Sequence, residues 1–166
     1  MIIGVGAEKT IALSTRKGTD IPNYQSREIS HFEANQHSDL AKKHGVMCTR
    51  NPGTPIYNCH GMAFASRRTC ITDPPALRTI LDEDDYEEID KAGVLPGDII
   101  VYMSGNGDME HSGVIIQEPS QAILNVPVVM SKWGKGCEVI HYGNKCPYDF
   151  SIVKYYRIKD ENPVVI

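Results

Sequence analysis

Residues 95–102 read Leu-Pro-Gly-Asp-Ile-Ile-Val-Tyr, and residues 110–116 read Glu-His-Ser-Gly-Val-Ile-Ile. Each segment places a β-branched apolar run after a turn or a polar residue, which is typical of strands. The polar, glycine-rich stretch between them predicts a hairpin loop. Further strands are predicted at residues 123–130, where Pro127 favours an edge or a bulge, and at residues 139–142 and 151–158.

Helical patterns precede these strands. Residues 31–43 predict a short helix, and a second helix begins after Asn58, a good N-cap residue, and runs to Arg67 and Arg68. Residues 76–81 predict a third helix, whereas the acidic stretch 82–90 is expected to be a solvated face. Two short strands are expected at residues 1–5 and 10–13. Helices followed by an antiparallel meander indicate the α+β class.

The composition indicates a soluble globular protein. The chain has 166 residues, 41% of them hydrophobic and 23% charged, and this length suits a single domain over residues 1–166. A net charge of −4 gives no sign of binding to nucleic acid or to an anionic membrane. No basic leader or long apolar run is present, so we expect a cytoplasmic protein, or one exported without a cleavable signal. The cysteine count of five is odd, which favours reduced thiols.

Cys59 and His111 are the candidate catalytic residues. Cys59 comes directly after the N-cap Asn58, where unsatisfied backbone N–H groups lower the pKa of a thiol. His111 opens a predicted strand, and an imidazole carried beside the thiol would serve as its base. Backbone N–H groups at the start of the helix are expected to bind the oxyanion.

Three segments resemble the NlpC-type papain-like cysteine peptidases and the related CHAP amidases. They are Asn-Cys-His-Gly-Met-Ala-Phe at residues 58–64 and the segments 95–102 and 110–116 quoted above. The resemblance implies a papain-like fold in which the cysteine helix packs on an antiparallel meander or small barrel. It also implies that Cys59 is the nucleophile and His111 the base. Residues 55–158 would then be the catalytic core, with residues 1–50 an N-terminal extension.

In those families a third polar residue, on the strand after the histidine, orients the imidazole. Ser131 is the candidate here, with Asn125 and His141 as rivals. Candidate substrate contacts are Asn58, His60, Trp133 and His141. Asn58 is more readily explained as a helix cap, and Trp133 either contacts substrate from a rim loop or packs in the core.

A metal site is not expected. Cys137, His141 and Cys146 have spacings found in zinc sites, but structural zinc sites usually pair close CxxC units, and the chain has none. The acidic stretch lacks the glycine and terminal glutamate of an EF-hand. We therefore expect neither a metal nor a cofactor.

The sequence predicts a thiol hydrolase that cleaves an amide bond through a Cys–His thioester mechanism. The resemblance points to peptides or peptidoglycan fragments as substrates, with a protein partner if the chain is a toxin or effector, and no nucleic acid or membrane. Two alternatives remain open. One is an acyl or amide transferase that uses the same pair, and the other is a catalytically silent binding or immunity protein on the same fold.

Overall fold

A computed structural model of the chain describes residues 8–119 and 125–159. The helices are α1 (His31–Lys43), α2 (Cys59–Phe64) and α3 (Pro74–Glu83), with a short 3-10 turn at Lys91–Gly93. The strands are β1 (Cys48–Asn51), β2 (Tyr86–Ile89), β3 (Ile99–Met103), β4 (Met109–Gln117), β5 (Val128–Lys132), β6 (Glu138–Tyr142) and β7 (Val153–Ile158).

The strands form one antiparallel sheet in the order β1-β6-β5-β4-β3-β7-β2. Strands β3 to β6 are neighbours in sequence order, so the predicted meander is confirmed. Strand β7 returns to pair with β3, which leaves β1 and β2 at the edges of the sheet. The α+β class is likewise confirmed.

Each face of the sheet carries its own apolar cluster, because side chains alternate along a strand. Ile99 and Val101 of β3 pack with Leu77 and Ile80 of α3 on one face. The neighbouring residues Ile100 and Tyr102 belong to the cluster on the other face, against which Leu40 and Ala41 of α1 pack. Helix α2 contacts β4 and β5. Position 111 of β4 lies opposite Tyr102, so His111 stands beside the cluster that α1 covers.

Several boundaries differ from the sequence prediction. Helix α2 ends at Phe64, well before the two arginines, because Ser66 and Arg67 adopt positive φ angles of 49° and 64°. Residues 10–13 form no strand; only isolated bridges occur nearby, such as Ser14 with Asp20. The acidic stretch is not merely a solvated face, since it contains β2, which pairs with β7.

Strand β1 was not predicted, and it joins the sheet by pairing with β6. It lies at the end of the segment expected to be an extension. Strand β5 begins at Val128, whereas the predicted strand began at residue 123. The described residues do not include 120–124, nor residues 1–5, where another strand was expected. In the described part of the chain, no helix has the length and apolar character needed to cross a bilayer.

Candidate active site

Asn58 and Gly61 shape the start of α2. The Asn58 Oδ1 atom accepts the backbone N–H groups of Gly61 at 2.9 Å and of Ile71 at 3.1 Å, and its amide donates to the Ile71 carbonyl at 2.7 Å. A side chain at position 61 would overlap the Thr69 carbonyl oxygen, so only glycine fits there. The polar atoms of Asn58 are thus all engaged in holding the helix start, which gives this residue a structural role instead of a substrate contact.

Cys59 is the first residue of α2 and is only 6% exposed. Its position in the first turn of the helix therefore does not expose the thiol to solvent. Burial by itself raises the pKa of the Cys59 thiol, but the charges of His60 and then of His111 lower that pKa well below its ordinary value. The structure therefore brings Cys59 and His111 together and adds a second imidazole.

His111 lies on β4 immediately after a break in the strand register. Tyr102 pairs with His111 and Met103 pairs with Met109, so Glu110 is an extra residue, and such bulges re-aim the side chains beside them. The His111 ring is fully buried and stacks on Tyr148, with centroids 3.9 Å apart and planes 9° from parallel. Neither ring nitrogen has a conventional hydrogen-bond partner among the described residues, so contact with the thiol is electrostatic and loosely aligned.

His60 is buried between α2 and β4. Its Nδ1 atom lies 3.0 Å from the hydroxyl oxygen of Ser112, and the Met109 carbonyl is a nearby backbone acceptor. Burial lowers the pKa of His60, but the charge and hydrogen bond of Cys59, with the Met109 carbonyl, raise that pKa above its ordinary value. His60 was expected to contact substrate, and the structure places it against the thiol itself.

No family model, curated protein or solved structure matches this chain. The site itself consists of one buried thiol flanked by two imidazoles that have different surroundings.

Ser131 does not form the expected hydrogen bond to His111. His141 Nδ1 is 2.8 Å from the Tyr142 carbonyl, which can only accept, so Nδ1 carries the proton and Nε2 is an acceptor. The Ser131 hydroxyl donates to His141 Nε2 at 2.8 Å and accepts from Trp133 Nε1 at 3.0 Å. Its single donor hydrogen goes to His141, and among the described residues neither nitrogen of His111 has a hydrogen-bond partner, so the expected contact between Ser131 and His111 is not formed.

His141 and Trp133 are also held in the interior by these bonds. Both are almost fully buried, and the Trp133 ring lies 5.3 Å from the His141 ring. Burial lowers the pKa of His141 to about 4, although the Tyr142 carbonyl opposes the shift. His141 is therefore neutral at pH 7, and neither residue is presented to a substrate in this structure.

Lys132 and Glu138 form a polar group on the other side of β5 and β6. The Lys132 ammonium donates to the carbonyls of Gly134 at 3.0 Å and Gly136 at 2.6 Å, and it lies over the Tyr57 ring. The Glu138 carboxylate accepts from Tyr57 at 2.7 Å, Arg67 at 2.5 Å and Asn51 at 2.9 Å. These contacts fix Tyr57, two residues before Cys59.

Sequence reasoning missed Ser112 and Tyr148. Ser112 follows His111, and because side chains alternate along a strand, Ser112 points to the opposite face of the sheet, where α2 lies. This alternation was the sequence signal that could have identified Ser112. Tyr148 lies in the connection between β6 and β7, where no pattern marked it. No group of three or more His, Cys, Asp or Glu side chains that could hold a metal occurs in residues 8–119 and 125–159.

Proposed function

We propose that this chain is a papain-like thiol hydrolase that cleaves an amide bond, with Cys59 as nucleophile and His111 as acid and base. The observation that carries the proposal is the flanking of the Cys59 thiol by His60 and His111, which together lower the pKa of that thiol although it is buried. A thiolate at neutral pH is the form that attacks a carbonyl. The resemblance of residues 55–135 to NlpC-type and CHAP enzymes supports the same roles.

The reaction runs in two halves. The Cys59 thiolate attacks the carbonyl carbon, and the C–N bond breaks as the His111 imidazolium gives its proton to the leaving amine. The acyl group remains on sulfur as a thioester. Neutral His111 then takes a proton from water, whose oxygen attacks the thioester carbon; the C–S bond breaks, and a carboxylic acid leaves. Cys59 returns to the thiolate and His111 to the imidazolium.

Peptides or peptidoglycan fragments are the proposed substrates, on the basis of the resemblance alone. Using an amine in place of water would make the same site a transferase. We rank hydrolysis first because it needs only the residues named above and water.

An activated ester tests the nucleophile without knowledge of the natural substrate. With p-nitrophenyl acetate, we expect the wild type to form acetyl-Cys59 transiently, as intact mass and peptide mapping would show. Cys59→Ser should abolish this adduct, and His111→Gln should slow its loss. Cys48→Ser is the matched control, because Cys48 is a free and exposed cysteine. Acetylation that favours Cys48 or is spread evenly over the thiols would contradict the proposal.

A catalytically silent binding protein is the second candidate. Two observations favour it: His111 has no conventional hydrogen-bond partner among the described residues, and the reactive pair is buried. In that case the thiol would titrate at an ordinary pH, and p-nitrophenyl acetate would leave Cys59 unmodified.

A further inference from the structure

Three histidines are buried in or beside the candidate site, and each has different partners. His141 donates through one nitrogen and accepts through the other, which is the pattern of a neutral ring. His111 is held by the face of Tyr148 and has no conventional hydrogen bond in the described part of the chain. His60 is surrounded by groups that can all accept: the Ser112 hydroxyl, the Met109 carbonyl and the Cys59 sulfur.

An imidazolium donates from both nitrogens, so an environment of acceptors favours that form. The Ser112 hydroxyl lies 3.0 Å from Nδ1 and can accept from it. The carbonyl of Met109 can only accept. A buried cation also needs an opposite charge, and a thiolate at Cys59, the neighbouring buried residue of α2, supplies it.

We propose that His60 is the proton partner of Cys59, so that the resting site holds a Cys59 thiolate beside a His60 imidazolium. The S–H bond of Cys59 breaks, its electron pair stays on sulfur, and the proton forms an N–H bond on the His60 ring. His111 exchanges a second proton, which goes to the leaving amine and is replaced from the attacking water.

This assignment of roles rests on the proposed function and gives one task to His60 and another to His111. His60 is held at Nδ1 by Ser112 beside the Met109 carbonyl, which suits a fixed counter-charge. His111 has no conventional hydrogen bond to any described residue, which suits a group that must reach first the leaving nitrogen and then a water molecule. A single histidine in the usual arrangement performs both tasks and needs a third residue to orient it.

Other charged or titratable groups also face the thiol. Cys59 interacts with Lys132 of β5, with Tyr148 from the β6–β7 connection and with Cys70, which follows α2. A neutral Tyr148 and a neutral Cys70 add no charge, since burial raises the pKa of both. Burial lowers the pKa of Lys132 to about 8, so at pH 7 the side chain is mainly the protonated ammonium, which two backbone carbonyls hold and which supports the thiolate without accepting its proton.

The test measures the pH dependence of Cys59 alkylation by iodoacetamide, read for each cysteine by mass spectrometry. We expect His60→Gln to raise the pH midpoint of Cys59 alkylation by at least about one unit. At a pH below the midpoint, this shift corresponds to a roughly 10-fold loss of the alkylation rate. His111→Gln should move the midpoint less. Ser112→Ala removes one anchor of His60 and should move it in the same direction as His60→Gln, by a smaller amount.

The outcomes separate the two proposals. A wild-type midpoint at the value of an ordinary thiol would overturn both. A low wild-type midpoint that persists in His60→Gln, or that responds more to His111→Gln, would overturn the role of His60 alone.

A second measurement does not depend on altering His60. Nitrogen-15 NMR of the histidine rings should show His60 losing its proton at a higher pH in the wild type than in Cys59→Ser, since the thiolate stabilises the imidazolium. Identical His60 titrations in the two proteins would contradict the inference.

Discussion

The ring of Tyr148 lies flat on the ring of His111, with centroids 3.9 Å apart and planes inclined by 9°. The stack supplies the orientation that a hydrogen-bonding third residue provides in related chemistry. Tyr148 is thus a positioning residue that fixes His111 through its face.

Removing the Tyr148 ring should slow the step that His111 performs. Aromatic pairs contribute about 0.5–1.5 kcal/mol, so Tyr148→Ala should slow loss of the acetyl group from Cys59 by about 3- to 10-fold. Tyr148→Phe retains the stack and should stay near the wild-type rate. Equal rates for the Ala and Phe variants, measured by the decay of acetyl-Cys59, would show that stacking has no part in the step.

Gly61→Ala should disrupt the start of α2. The added methyl group would overlap the Thr69 carbonyl oxygen, which belongs to the backbone and cannot rotate away. We expect a loss of at least about 3 kcal/mol in the free energy of unfolding, measured by urea denaturation. Gly105→Ala is the matched control, because nothing lies within 4 Å of its Cβ position, and it should change stability by less than about 0.5 kcal/mol. If both variants have similar stability, the close approach of α2 to Thr69 is not a constraint.

Ser131→Ala should reduce stability without changing the thiol. The substitution leaves Trp133 Nε1 and His141 Nε2 without their partner, and a buried unpaired polar group costs about 1–3 kcal/mol. The pH midpoint of Cys59 alkylation should stay at the wild-type value. A shift in that midpoint comparable to the one from His111→Gln would return Ser131 to the catalytic machinery.

His141 should make the protein less stable in acid. Its pKa is lowered by burial to about 4 in the folded chain, against an ordinary value of 6.5. The unfolded chain therefore binds more protons between these values, so the free energy of unfolding falls as the pH drops from 6.5 towards 4.

The shift corresponds to a loss of about 2–3 kcal/mol between pH 7 and pH 4.5. Urea denaturation at the two pH values measures it, and His141→Gln removes this contribution. Parallel pH profiles for the wild type and the variant would contradict a neutral, buried His141.

Local sequence patterns predicted the parts of the fold that depend on neighbouring residues. Helix α1 occupies the predicted residues 31–43, and β3, β4 and β6 form at the predicted apolar runs. Strand β2 was missed because Glu87 and Glu88 are polar on a sheet edge, where pairing with β7 overrides low strand propensity. Strand β1 was missed because its four residues are mostly exposed and carry no alternating apolar pattern; pairing with β6 at the other edge of the sheet forms it.

The candidate site was likewise predicted only in part from local sequence patterns. The pairing of Cys59 with His111 was predicted from their order in the chain and from their positions at the start of a predicted helix and of a predicted strand. These features could not predict which histidines find hydrogen bonds, because those depend on contacts between strands: Ser131 meets His141 of the adjacent strand, and Ser112 meets His60 of α2. Tyr148 comes from an irregular connection, whose position only the tertiary structure determines.

The most direct test of the account is the titration of the Cys59 thiolate. The ultraviolet absorbance of the thiolate, taken as the difference between the wild type and Cys59→Ser, isolates this residue from the other four cysteines. The account predicts a thiolate that persists well below the ordinary thiol midpoint of about 8.5 and is protonated only in acid. A difference spectrum that appears only at or above pH of about 8.5 would contradict it.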